Sequence, residues 1–153
     1  MSLLNYLQLK QEVWDILQAK IDANELKSIN NEKPTLFWGR REIDDFPKAI
    51  CPEIQVISDI ITGGKSISDQ QPFYFPRDDS LILRIIDKHP DKKIAESSST
   101  DLGLKVMAIL QVQGTMGGKV LNPGISTIRF DEIGVEANYY FGTDIVYLST
   151  SRN

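Results

Sequence analysis

The residues with the most chemical potential are Gly63-Gly64-Lys65-Ser66, which follow an apolar run as the end of a phosphate-binding loop would. Such a loop needs a further glycine five residues before Gly64 so that its backbone amides can curl round phosphates, and Asp59 stands there. No helical pattern follows Ser66, so the helix N-terminus that completes a phosphate site is missing too. The run Leu81–Asp87 imitates a strand ending in a magnesium-binding carboxylate, but Arg84 interrupts it. A glycine turn is the better reading.

Metal and nucleophilic chemistry fare no better. His89 is the only histidine and Cys51 the only cysteine, so a metal site would depend on carboxylates such as Asp87 and Asp91. His89 reads as an exposed turn residue in DKHPDKK, and Cys51 as an inert thiol in a second strand, just before Pro52. The pairs Asp44-Asp45, Asp78-Asp79 and Asp131-Glu132 cannot share a proton on a strand, because adjacent side chains leave opposite faces. No catalytic, cofactor-binding or metal-binding residue is therefore expected.

Two segments read as contact surfaces. Arg40 and Arg41, followed by Glu42, Asp44 and Asp45, put both signs of charge in one loop, which suits pairing with a neighbour. Phe73, Tyr74 and Phe75 lie in a polar, proline-bearing stretch from Ser66 to Ser80, where they anchor the loop or meet a partner.

The elements that must carry these segments come from periodicity. From Ser2 to about Ala23, Leu3, Leu7, Val13, Trp14, Leu17 and Ile21 recur at helical spacing, with Lys10 inside the stripe and Leu9 outside it. Leu36–Trp38 and Ile50–Ser58 read as neighbouring strands in a hairpin-like unit joined by the charged loop. Leu81–Ile86 gives a third strand. Caps among Ser97–Asp101 open a second helix near residues 101–112, which Gly114, Gly117 and Gly118 end. Ile125–Asp131 and Tyr139–Ser149 supply two further strands. This order predicts one α+β domain over residues 1–153, with a mostly antiparallel β-sheet flanked by the two helices.

Composition narrows the partners. Across 153 residues, 41% are hydrophobic and 25% charged, as in soluble globular chains. The net charge of −4 disfavours nucleic acid as the main ligand, since phosphate binding draws on clustered Lys and Arg. With no basic, apolar leader and no run of about 18 apolar residues, a cytoplasmic product without a membrane role is expected.

The leading amphipathic helix, Phe37-Trp38-Gly39-Arg40 followed by Phe46-Pro47 and an apolar strand, the second helix, and a closing strand with Arg152 beyond it resemble the tail terminator proteins of long-tailed, lambda-like bacteriophages. The resemblance implies a virion protein that caps the tail tube as a homohexameric ring, stops tail polymerisation and offers a surface for head joining. Its partners would be other copies of itself, the tail tube protein, a head completion, neck or connector protein, and the sheath. Another head-to-tail connector or tail completion protein has the same subunit class. A monomeric acidic module of the immunity or adaptor kind is the reading from a different class.

Overall fold

A computed structural model describes residues 6–62, 77–135 and 138–151. The first helix, α1 (Tyr6–Asp22), buries Tyr6, Leu9, Val13, Leu17 and Ile21, a spacing of three and four residues that keeps them on one face. The stripe is rotated from the expected one: Leu9 is fully buried and Leu7 is exposed. Lys10 stays in the buried stripe because its ammonium is satisfied there. Its Nζ donates to Ser58 Oγ at 3.1 Å and lies 4.3 Å from the centroid of the Trp38 ring. Asn24, at φ 59°, ends the helix in the left-handed conformation that asparagine tolerates.

Five strands follow, β1 (Thr35–Trp38), β2 (Glu53–Thr62), β3 (Arg77–His89), β4 (Leu121–Val135) and β5 (Asn138–Ser151), with α2 (Lys92–Gln113) between β3 and β4. They form one sheet in the order β1-β2-β3-β5-β4. All pairings but one are antiparallel, so the architecture is α+β with the expected order of elements. The exception corrects the hairpin reading. β1 and β2 are neighbours but run parallel, Thr35 opposite Glu53 and Trp38 opposite Val56. A parallel pair requires a crossover connection of about a dozen residues or more, which a tight turn cannot supply. Residues 39–52 provide it, with a 3-10 turn at Ile43–Lys48. Cys51 accordingly precedes β2, in the crossover.

The second helix also starts earlier than its periodicity suggests, at Lys92 rather than near residue 101. Its cap is Asp91, whose carboxylate accepts from the backbone N–H of Lys93 at 2.9 Å. The serines that look like caps lie inside the helix. Ser98 Oγ donates to the buried Asp87 carboxylate; Ser99 Oγ donates to the carbonyl of Ile85 at 2.9 Å and lies 3.0 Å from Thr143 Oγ1. Hydroxyls that would weaken a solvent-facing helix interior become acceptable once each meets a partner across the helix–sheet gap. Gly103 lets the helix approach, since a Cβ there would lie 2.7 Å from Thr143 Cγ2.

Strand alternation sends Ile54 and Val56 of β2, Leu81, Leu83 and Ile85 of β3, and Ile145 and Tyr147 of β5 to the helical side. With Leu9, Val13 and Leu17 of α1 and Leu102, Val106 and Leu110 of α2 they make the main core. On the opposite face the 39–52 crossover forms a smaller core, where Phe46 packs with Ile86 and Tyr140. The rings of Phe46 and Tyr140 lie 5.5 Å apart, and the Tyr140 hydroxyl donates to the Phe46 carbonyl at 3.4 Å. The sheet is thus covered by helices on one face and by a crossover on part of the other.

Candidate interaction surfaces

Arg41 is the residue that fastens the crossover. Its Nε donates to Glu53 Oε1 at 3.0 Å and its Nη2 to Glu53 Oε2 at 2.7 Å, a two-pronged contact matched to the carboxylate. Gln55 Nε2 donates to the same carboxylate at 3.1 Å, and Gln55 Oε1 accepts the Arg41 backbone N–H at 3.2 Å. The guanidinium also stacks 4.1 Å from the centroid of the Phe37 ring. Hydrogen bonding to Glu53 raises the Arg41 pKa further above its ordinary range. Within the charged loop, Arg41 is therefore spent inside the subunit, while Arg40, Asp44 and the half-exposed Asp45 remain outward. Asp45 makes only a loose pair with Lys48, at 3.6 Å. Phe73, Tyr74 and Phe75, and the Gly63–Ser66 turn, lie outside the described residues.

Beyond the crossover, the same face of the sheet holds a groove of about 420 Å³ whose floor is Ile82, Arg84 and Asp144. Arg40 flanks it from the crossover, and Arg129, Phe130 and Asp131 from β4. Arg84 and Asp144 neutralise each other in a two-pronged pair, 2.7 Å from Nε and 2.8 Å from Nη2. This contact raises the Arg84 pKa. Arg129 Nη2 stands 3.9 Å from the same carboxylate, beyond hydrogen-bond reach. The groove was not anticipated from sequence, although it left a trace: Arg84 and Asp144 are isolated, opposite charges inside two otherwise apolar strand patterns.

Of the carboxylate pairs, Asp131 and Glu132 do point to opposite faces. Asp131 lines the groove, while Glu132 reaches Lys92 of α2 at 2.6 Å on the helical side. The Asp78 and Asp79 side chains lie outside the described set. His89 ends β3 half-buried, its Nδ1 accepting the Asp91 backbone N–H at 2.9 Å, so it is a structural part of the β3–α2 turn rather than an exposed turn residue. Burial, followed by the charge of Asp87, pushes the Cys51 thiol up to about 12. A thiol held protonated in this way is a poor nucleophile. Among the described residues, no group of three His, Cys, Asp or Glu side chains could hold a metal ion, and no helix is long and apolar enough to cross a membrane.

The two margins of the sheet carry different exposed apolar side chains. At the β1 margin, Trp38 is 45% exposed, and Ile50, whose carbonyl accepts from Thr35 Oγ1 at 2.7 Å, is 71% exposed. At the other margin, Phe130 of β4 is 56% exposed and Tyr139 of β5 is also open. Four strand spacings, about 19 Å, separate β1 from β4. Neither a protein-family model nor any curated protein matches the chain.

Proposed function

We propose that this protein is a structural subunit of a phage virion that forms a ring at the head-proximal end of the tail, in the manner of a tail terminator. It would cap the tail tube, end polymerisation and present a surface to the head completion or connector protein, after synthesis in the host cytoplasm. The observation that carries the reading is the pair of unlike margins. A closed ring requires heterologous contacts, in which one patch of a subunit meets a different patch of the next. Trp38 and Ile50 at one edge of the sheet, and Phe130 at the other, are two such patches. The resemblance in the Phe37–Pro47 phrase and the order of elements supplies the tail context.

The test is mass measurement and negative-stain imaging of the purified protein, with and without tail tubes. A ring of about six copies, alone or on tube ends, is expected, and a strict monomer that ignores tube ends overturns the reading. Two variants probe the geometry. Ile50→Glu and Phe130→Glu should each abolish the ring, yet a mixture of the two should yield heterodimers through the one intact pair of margins. Mixtures that remain monomeric would contradict the head-to-tail arrangement.

A further inference from the structure

We infer that the groove on the helix-free face binds an acidic peptide segment of a partner protein, with Arg40 and Arg129 as the residues that hold its carboxylates. The inference goes beyond ring formation and rests on the assembly reading only for the partner being a protein. The chain as a whole carries −4, yet this groove gathers three guanidinium groups against two carboxylates. Arg84 and Asp144 cancel at the floor, through bonds of 2.7 and 2.8 Å. What remains is Arg40, Arg129 and Asp131.

Both remaining arginines have donors to give. Arg129 is exposed, and its 3.9 Å approach to Asp144 is too long to use an N–H. Arg40 is exposed and makes no hydrogen bond or ion pair among the described residues. The guanidinium fork matches a planar carboxylate, as Arg84 and Arg41 already demonstrate within this subunit. Ile82 in the floor gives the methylenes of a bound glutamate an apolar surface to lie on.

The same inventory argues against a nucleic-acid strand. A phosphate backbone brings one charge per nucleotide along its length, and two arginines with Asp131 beside them leave a balance of one positive charge, too little to hold such a run. Discrete carboxylates on a peptide can be placed at the two arginines, and Asp131 can accept from the peptide backbone. Asp131 therefore weakens binding of a purely acidic probe and favours a mixed segment.

The probe is a fluorescein-labelled peptide of alternating glutamate and glycine, titrated by fluorescence polarisation at low salt. Binding that weakens as salt rises is expected. Arg40→Ala and Arg129→Ala should each weaken it about tenfold, Arg129→Lys less, and Asp131→Asn should tighten it about threefold. All three side chains are exposed at the groove, and matching thermal midpoints of the four variants would show that the fold is intact. No binding at millimolar protein, affinity unchanged in both alanine variants, or stronger competition by single-stranded DNA of equal length would each overturn the inference. Ring formation is read separately by mass. A ring that persists without peptide binding counts against the groove alone, and peptide binding by a monomer counts against the ring alone.

Discussion

Replacing Arg41 by alanine removes the cation opposite a carboxylate that is 2% exposed, because Glu53 sits beneath the crossover. Removing one partner of a buried ion pair costs about 3–5 kcal/mol, since the other charge stays desolvated. Two features place Arg41→Ala at the lower end. The Arg41 side chain is 15% exposed, so water already reaches it, and Gln55 Nε2 still donates to Glu53 after the change. The stacking on Phe37 adds about 0.5–1 kcal/mol to the loss. A total near 3 kcal/mol follows, which for a chain of this length lowers the thermal midpoint by about 6–12 °C. Urea denaturation followed by the fluorescence of Trp14 and Trp38 measures it, at one fixed protomer concentration so that assembly does not enter. The double variant Arg41→Met with Glu53→Leu should recover most of the loss, because an apolar pair carries no stranded charge. A loss below about 1 kcal/mol, with no coupling between Arg41→Ala and Glu53→Ala, would refute the reasoning and free Arg41 for a partner.

Gly103→Ala should destabilise by about 1–3 kcal/mol despite the gain in helix propensity, because the new methyl group meets Thr143 Cγ2 at 2.7 Å. Thr143→Ser removes that methyl and keeps the hydroxyl near Ser99, so the double variant should recover stability in urea melts; no recovery would locate the strain elsewhere. Cys51, held up to about 12 by burial, binds its proton more tightly folded than unfolded, so stability is intact below about pH 9 and falls as pH rises from there toward 12. The slope from this one group is about 1.4 kcal/mol per pH unit, and Cys51→Ala should flatten it; an unchanged alkaline slope would show that the thiol is not protected. At pH 8 the folded thiol should also react with a disulfide reagent about a thousandfold more slowly than in urea.

Much of the architecture was legible because helix and strand periodicities are local. The apolar spacing of α1, the short runs of β1 and β3, and the alternation in β5 all follow from residues a few positions apart, and they suffice for an α+β chain in the observed order. Even the phase of α1 escaped this reading, since Leu7 and Leu9 are alike as residues and only packing against the sheet selects Leu9. The start of α2 was hidden for a related reason. Ser98 and Ser99 read as caps until Asp87, Ile85 and Thr143 supply partners from strands distant in sequence.

The charged loop shows the division most clearly. Its composition alone marked residues 40–45 as a place where both signs of charge meet. Tertiary structure decided that Arg41 belongs to the subunit and Arg40 to its surface, because the parallel pairing of β1 with β2 carries the loop across the sheet and sets Arg41 over Glu53. Strand direction is a non-local choice, and the buried Phe46, packed on Ile86 and Tyr140, ties the crossover to the sheet. The groove between Arg40 and Arg129 arises the same way, from side chains on four separate segments that only the assembled sheet brings together.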